Sequence, residues 1–324
     1  MRRLGWALLA AALAMFAPPS AGAQPIRVYQ VGVVLQGGPF SLAVDGLRQG
    51  LKEAGLVEGK HVVLHVRDSK GDINALEAAA KALEGQKVDV IYSVSTSATL
   101  ATRRATQRVP IVFYAGADPV VAGLVESFRK PGGRLTGVHG QLHDLTAKRF
   151  EVLMAMVPKA RRIAVFYTVG NPAALASLDI ARSTARTLKV QLVERPVTSV
   201  DELRKSLHAL RPADADAILY VGDAMVTSQN DVVIEVARAK QLPIMLQEHV
   251  AVVNGALASY GISYHAAGLL SAKQVDRILK GAKPGDLPVE QLARPYFAVN
   301  LKTAKALGLT IPREVLVRAD EIVE

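Results

Sequence analysis

The chain has 324 residues, of which 50% are hydrophobic and 21% charged, enough to bury one large core or two moderate ones. It contains no cysteine, which excludes disulfides, thiol catalysis and cysteine-ligated metals. The formal net charge is +10, but the basic residues are scattered and aromatic residues make up only 5%. Because a nucleic-acid-binding surface needs a basic stripe or an aromatic platform, we expect no nucleic-acid partner.

The first 23 residues are typical of a secretory signal peptide. A basic start (residues 1–3) precedes an apolar run (4–17) and a small-residue cleavage motif (21–23). The alternative is an uncleaved membrane anchor, but the run is shorter than the roughly 20 residues that span a bilayer, and two prolines interrupt it. We predict cleavage before Gln24, export, and no lipid anchor.

The mature chain begins with a strand over residues 26–35 and a turn that contains Gly37, Gly38 and Phe40. The two glycines allow a ligand to approach the backbone closely. Phe40 either stacks on a ligand ring or packs in the core. An amphipathic helix over 41–54 follows, then a strand over 61–67 and a helix over 74–86.

The next strand, over residues 88–92, ends in the hydroxyl-rich turn Ser95-Thr96-Ser97. A helix over 98–107, a buried strand over 109–114, a turn with Asp118 and a second helix over 120–128 complete this part. Hydroxyls at a helix start are a cradle for a carboxylate, although Ser95 or Thr96 could simply cap the helix.

The pattern of strand, turn and helix restarts at residue 162. Four strands alternate with three helices: the strands cover 163–167, 190–195, 217–221 and 242–246, and the helices cover 173–187, a stretch from 201 onward and 230–240. The chain then continues with a strand over 256–261, a helix over 266–280, a strand over 296–300 and a helix over 301–307. The duplication predicts two doubly wound α/β lobes with a ligand cleft between them, at the carboxyl ends of the strands.

The strand ends of the second half carry further candidate ligand contacts. Asn171 either hydrogen-bonds a ligand or caps the following helix. Asp223 is either a ligand contact or an ordinary turn residue. Gln247 and Glu248 follow the strand over 242–246, and Tyr260 is a further candidate.

Motifs for enzymes, cofactors and metals are missing from the sequence. It has no G-x-S-x-G, no G-x-x-x-x-G-K-[ST] and, after the first strand, no G-x-G-x-x-G. His139 and His143 are four residues apart, but the neighbouring glycines argue against a helix that would hold both on one face. We therefore expect no catalytic activity, no cofactor and no metal.

Four stretches carry a resemblance to a known family: residues 88–138 (VDVIYSVSTSATLATRRATQRVPIVFYAGADPVVAGLVESFRKPGGRLTGV), 46–60, 275–284 and 300–309. They resemble the ABC-transporter substrate-binding proteins, a family that includes tryptophan- and tyrosine-type amino-acid binders. The resemblance implies a type I periplasmic binding protein fold, with a hinge of three crossings near 135–142, 258–261 and 295–300.

The implied lobe boundaries are residues 26–141 plus about 261–294 for the first lobe. The second lobe is expected to take residues 142–260 plus about 295–324. Both lobes would then be built from segments that are distant in the chain.

An amino-acid ligand needs donors for its carboxylate and an anion for its ammonium group. If the ligand is an amino acid, we expect Ser95, Thr96 and Ser97 to be the donors and Asp223, at the carboxyl end of a second-lobe strand, to be the preferred ammonium partner, with Asp118 and Glu248 behind it. The amino-acid binders carry an Asp-Asn pair at the Asp223 turn, whereas here Ala224 follows. The expected ligand is thus an amino acid or another small carboxylate-bearing molecule.

The implied function is that of a monomeric, periplasmic solute-binding protein that delivers its ligand to an inner-membrane ABC permease. One alternative is a sensory module that reports its ligand state to a receptor. The other is an exported α/β enzyme, which the missing motifs disfavour.

Overall fold

The structure is a computed structural model that describes residues 27–140, 144–292 and 295–324. The predicted signal peptide and its cleavage site lie outside the described residues. Within them the chain forms two mainly parallel β-sheets flanked by helices, which confirms the predicted fold class of two doubly wound α/β lobes.

The first sheet contains six strands. They are β1 (Tyr29–Leu35), β2 (Val62–Asp68), β3 (Val90–Val94), β4 (Ile111–Ala115), β5 (Leu135–His139) and β11 (Glu290–Gln291). Their order across the sheet is β11-β5-β4-β3-β1-β2, and all neighbours are parallel. The central strands β3 and β4 are fully buried because helices cover both faces of the sheet.

The second sheet contains seven strands. They are β6 (Arg162–Thr168), β7 (Gln191–Val197), β8 (Ala217–Leu219), β9 (Ile244–Leu246), β10 (Ala258–Gly261), β12 (Tyr296–Asn300) and β13 (Glu321–Val323). Their order is β13-β12-β10-β9-β8-β6-β7, and only the β10–β12 pair is antiparallel.

Helices connect the strands of both sheets. They are α1 (Ser41–Glu53), α2 (Asn74–Gly85), α3 (Thr96–Ala105), α4 (Asp144–Met156), α5 (Pro172–Thr187), α6 (Val200–Ala209), α7 (Ala224–Ser228), α8 (Asn230–Ala239), α9 (His249–Val253), α10 (Tyr264–Leu279), α11 (Leu301–Ala306) and α12 (Arg313–Leu316), with 3₁₀ turns at Gly38–Phe40 and Pro284–Asp286. Within the described ranges, none of these helices combines the length and the apolar content that a membrane crossing requires.

The chain passes between the sheets three times, after β5, after β10 and after β11. The first lobe, as we use the term, is the first sheet with α1–α3 and α10; the second lobe is the second sheet with the remaining helices. Helix α10 returns to the first lobe, where it packs along α1 and against β4. Each sheet has its own hydrophobic clusters on its two faces, so each lobe has its own core.

The predicted helix over residues 120–128 is wrong. The segment forms successive turns, in which the Asp118 carboxylate accepts from the N–H groups of Val120 and Val121 and the Pro119 carbonyl accepts from Leu124 N–H. Gly123 has a φ of +65°, which a right-handed helix cannot accommodate.

Candidate functional site

A small cavity with a volume of about 30 Å³ lies between the two lobes, and we call it the interlobe cavity. The first lobe contributes Phe40, Ser95, Thr96, Ser97, Tyr114, Gly116, Ala117 and Tyr264; the second lobe contributes Asn171, Ala173, Tyr220, Gly222, Ala224 and Gln247. Most of these residues follow the carboxyl ends of parallel strands, where open α/β sheets bind ligands. This volume is well below the roughly 300–1,000 Å³ typical of small-molecule pockets, so a ligand needs the lining to move apart.

The turn Ser95-Thr96-Ser97 forms the polar wall of the first lobe. Ser95 caps α3, because its Oγ accepts from Ala98 N–H at 3.1 Å, and its φ of +114° is rare for a residue with a side chain. Thr96 Oγ1 accepts from Ala117 N–H at 3.1 Å, which leaves its own O–H proton available for a ligand. The Ser95 cap and the cavity wall are therefore the same feature.

Gln36, at the end of β1, holds this turn from behind. Its Oε1 accepts from Ser95 Oγ at 3.0 Å and from Ser97 Oγ at 2.8 Å. The side chain is fully buried, and its Nε2 has no hydrogen-bond partner among the described residues. Because buried amide groups are normally paired, this part of the site has an unused donor.

Four aromatic rings surround the cavity, and all are buried: Phe40, Tyr114, Tyr220 and Tyr264. The ring centroids of Phe40 and Tyr264 are 4.8 Å apart, and those of Tyr114 and Tyr264 are 5.6 Å apart in an edge-to-face arrangement. Burial raises the pKa of Tyr114, Tyr220 and Tyr264 well above the usual value, so the phenols stay neutral. The Tyr114 hydroxyl has no partner among the described residues.

Asp223 lies behind the wall of the cavity. Its carboxylate accepts from Thr168 N–H at 2.8 Å, Thr168 Oγ1 at 3.0 Å, Val226 N–H at 3.0 Å and Asn171 Nδ2 at 3.3 Å. The side chain is fully buried and caps α7, so its lone pairs are used within the second lobe. Asn171 lines the cavity while its Oδ1 caps α5 by accepting from Ala173 N–H.

Gln247 and Glu248 link the second lobe to Tyr264 of the first. Glu248 accepts from the Tyr264 hydroxyl at 3.0 Å and from Asn230 Nδ2 at 2.7 Å, and burial raises its pKa. Gln247 Nε2 donates to the Tyr264 hydroxyl, while Gln247 Oε1 is buried without a partner among the described residues. Glu248 itself lines a second, neighbouring cavity.

Arg149 of α4 supports this network from the interior of the second lobe. Its guanidinium is fully buried, lies 5.4 Å from the centre of the Tyr220 ring and donates to the Tyr220 carbonyl at 3.3 Å. Burial lowers its pKa, while the neighbouring Glu248 opposes that shift. The charge is thus placed behind the aromatic wall and does not line the cavity.

The structure places half of the predicted ligand contacts at the interlobe cavity: Phe40, Ser95, Thr96, Ser97, Asn171 and Gln247. Phe40 also packs in the core of the first lobe, so both of its expected roles coexist. The other candidates lie elsewhere. These are Gly37, beside the Asp68 carboxylate; Gly38, beside Ser228; Asp118, in its own turn; Asp223 and Glu248, behind the wall; and Tyr260, packed against Phe297.

Sequence reasoning missed Tyr114, Tyr220 and Tyr264. A signal existed for two of them, because Tyr114 and Tyr220 sit at the carboxyl ends of buried apolar strands, where ligands bind. Tyr264 reaches the site only because the chain crosses back after β10, and no local pattern reveals that crossing.

The lobes touch at the side of the cavity formed by α7. A side-chain carbon added to Gly38 would lie 2.7 Å from the Ser228 carbonyl oxygen, and one added to Gly71 would lie 2.6 Å from Ser228 Oγ. Gln229 Nε2 is 3.5 Å from the Lys70 carbonyl oxygen. Since these pairs join residues of different lobes, the lobes are in contact beside the cavity.

Comparison with known proteins gives one family and several similar chains. The family model described as "ABC transporter substrate binding protein" matches residues 29–323. A tyrosine-binding protein from Clostridioides difficile is 29% identical over 267 residues, covering 82% of this chain and 76% of that protein.

Two solved structures show different states. An ABC domain from Streptococcus pneumonia in complex with L-Trp is 26% identical, with a TM-score of 0.80. A ligand-free, open substrate-binding protein with adhesive properties from Clostridium difficile is 25% identical, with a TM-score of 0.61. Both alignments cover 92% of this chain and 99% of the other, so the difference in TM-score is not one of coverage.

Proposed function

The chain belongs to the ABC transporter substrate-binding protein family, and we propose that it carries a small ligand through the periplasm to an inner-membrane ABC permease. In this proposal the signal peptide directs export, and the protein acts as a monomer. It binds and releases the ligand without chemical change, and needs no cofactor.

The observation that carries the proposal is a cavity built from the strand ends of both lobes. A ligand that contacts Ser97 in the first lobe and Asn171 in the second can do so only when the lobes are together. Such a ligand shifts the equilibrium between open and closed forms by its differential affinity for them. The higher TM-score against the L-Trp complex than against the open relative supports a closed conformation here.

The proposed ligand is an amino acid or another small molecule that bears a carboxylate. The names of the relatives, a tyrosine-binding protein and a complex with L-Trp, support this class. The Thr96 hydroxyl and the N–H groups at the start of α3 support it independently, because they provide donors for a carboxylate in a buried site.

A thermal-shift screen tests the proposal, with the twenty L-amino acids, small aliphatic and aromatic carboxylates, and nucleobases as probes. We expect at least one carboxylate-bearing compound to raise the Tm, because a ligand that binds only the folded protein stabilises it. A well-folded sample that responds to none of these compounds would contradict the proposal.

A pair of variants then locates the site. Thr96→Val removes a hydroxyl that lines the cavity and has a proton to donate, and loss of its hydrogen bond to a charged group should weaken binding by about tenfold. Ser127→Ala is the control, since Ser127 hydrogen-bonds only within its own exposed turn at Lys130. Equal affinities of the two variants would place the ligand outside the interlobe cavity.

A further inference from the structure

The interlobe cavity differs in charge from what a zwitterionic ligand requires. Among the described residues, none that lines it carries a carboxylate, an ammonium or a guanidinium group. A bound amino acid would bury both a carboxylate and an ammonium group, and each needs compensation in a buried site. The carboxylate and the ammonium group therefore each need a partner of opposite charge or enough hydrogen bonds.

The carboxylate has a suitable place at the start of α3, a helix of ten residues. Thr96 offers an O–H proton, because its oxygen already accepts from Ala117 N–H. Tyr114 also lines the cavity and is 1% exposed, and its hydroxyl has no partner among the described residues, which makes it a further donor near this end. The positive end of the helix dipole adds to these donors.

The ammonium group has no comparable place. The Asp223 carboxylate is used by four donors of its own lobe, two of them from Thr168. Glu248 lies behind Tyr264 and accepts from its hydroxyl and from Asn230. Asp118 accepts from backbone N–H groups in its turn. An ammonium group in the cavity would lose its hydration without gaining an anion.

Gln247 provides a side-chain acceptor at the opposite wall. Gln247 lines the cavity, is 1% exposed, and keeps Oε1 without a partner among the described residues. Its Nε2 donates to the Tyr264 hydroxyl, and this contact fixes the orientation of the amide. A single neutral oxygen suits a neutral O–H or N–H donor better than an ammonium group with three protons.

Aromatic side chains predominate between the two walls. Phe40, Tyr114, Tyr220 and Tyr264 surround the cavity, and the other lining residues apart from Asn171 and Gln247 are small. Aromatic rings stack on or pack edge-to-face against such side chains. The aromatic residues thus define the middle of the ligand, and the polar groups define its two ends.

We propose that the ligand is an aromatic carboxylate without a charged amino group. Its carboxylate binds at the start of α3, its ring lies among Phe40 and the three tyrosines, and a ring hydroxyl or ring N–H donates to Gln247. This inference rests on the proposed function and narrows the ligand class within it.

Titration calorimetry with two matched series tests the inference. The first series is 3-(4-hydroxyphenyl)propanoate, L-tyrosine and tyramine; the second is indole-3-propanoate, L-tryptophan and tryptamine. Within each series the ring and the chain length are constant, and only the charged groups change. The protein is purified under denaturing conditions and refolded, so that no ligand is carried over.

We expect the acid of at least one series to bind at least tenfold more tightly than its amino acid, and the amine not to bind. Equal or tighter binding of the amino acid or the amine would overturn the inference and leave the proposed function intact. If none of the six compounds binds while the broad screen finds another ligand, the inference also fails. Silence in both experiments would overturn the proposed function itself.

A gain-of-function variant provides a second test that does not depend on losing the fold. Ala224→Asp places a carboxylate on the cavity lining, at the first residue of α7, where an acidic side chain is compatible with the helix dipole. We expect the preference for the acid over the amino acid to fall by at least tenfold. Ala78→Asp, on an exposed face of α2, makes the same charge change and should leave the preference unaltered. If Ala224→Asp prefers the acid over the amino acid as strongly as the wild-type protein does, the absence of an anion from the cavity does not determine the ligand class.

Discussion

Asp223 is a buried carboxylate beside the interlobe cavity whose hydrogen bonds all lie within the second lobe. It accepts hydrogen bonds from Thr168 on β6, from Asn171 and from the start of α7. It therefore ties the end of one strand to the helix that follows another. A ligand would have to displace these donors in order to use it.

We predict that Asp223→Ala lowers the free energy of unfolding by about 2–4 kcal/mol, because a helix cap is lost and the buried Thr168 donors are left unpaired. Urea denaturation measures the change. Asp118→Ala is the matched control, since that carboxylate accepts only local backbone N–H groups in its turn, and it should cost about 1 kcal/mol or less. Equal losses in the two variants would show that Asp223 has no special structural role.

For single residues such as Asn171 and Asp223, the sequence predicts the position along the chain but not whether the side chain faces the cavity. Both follow strands of the second sheet, so both were expected near the ligand, and the strand ends do surround the cavity. Which side chain faces the cavity depends on the Thr168 donors, 55 residues before Asp223. Local patterns contain no information about partners at that distance.

At the scale of elements, the contact between α1 and α10 fixes the returning segment onto the first lobe. Gly46 and Gly50 of α1 and Gly268 of α10 let the two backbones approach closely. A side-chain carbon at Gly268 would overlap the Ala43 carbonyl oxygen. Tyr264, at the start of α10, reaches the cavity only if this contact is kept.

We predict that Gly268→Ala destabilises the protein by about 1–3 kcal/mol, because the backbone of α1 cannot move aside without disturbing the core. Gly85→Ala in α2 is the control, since a carbon there meets nothing within 4 Å. It should stabilise by about 0.5 kcal/mol through helix propensity alone. Chemical denaturation measures the free energy of unfolding of both variants. Changes of opposite sign would support this interpretation, and equal changes would contradict it.

The same helices show what periodicity can and cannot predict. The sequence predicts α1 and α5 to within one or two residues, because their apolar spacing and turn residues agree. It fails for residues 120–128, where Gly123 at positive φ turns a helix-like composition into a series of turns. It also assigned nothing to α4, which carries the buried Arg149.

At the scale of the whole molecule, the proposed capture mechanism makes binding depend on how closely the lobes can approach. Gly38 on the first lobe faces the backbone of Ser228 on the second, and Gly71 faces its side chain. Both glycines are on turns outside the cavity lining, so changing them alters the closure without removing a ligand contact. Closure and ligand recognition can therefore be separated by mutation.

We predict that Gly38→Ala weakens ligand affinity by roughly 5- to 100-fold, since overpacking against a rigid backbone costs about 1–3 kcal/mol in the closed form alone. Gly133→Ala is the matched control. Its φ of +59° is close to the +56° of Gly38, but a carbon at Gly133 meets nothing within 4 Å. Both variants place alanine at nearly the same positive φ and should therefore lose a similar amount of conformational free energy. Only Gly38→Ala should also prevent the lobes from closing fully.

Calorimetry with a ligand from the thermal-shift screen gives the two affinities, and small-angle scattering at saturating ligand gives the radius of gyration. Gly38→Ala should be measurably more extended than the wild-type protein, whereas Gly133→Ala should match it in both measurements. Because the φ penalty acts on the open and closed forms alike, it cancels from the closure equilibrium and does not affect affinity. If Gly38→Ala binds as tightly as Gly133→Ala, closure against Ser228 is not part of ligand capture.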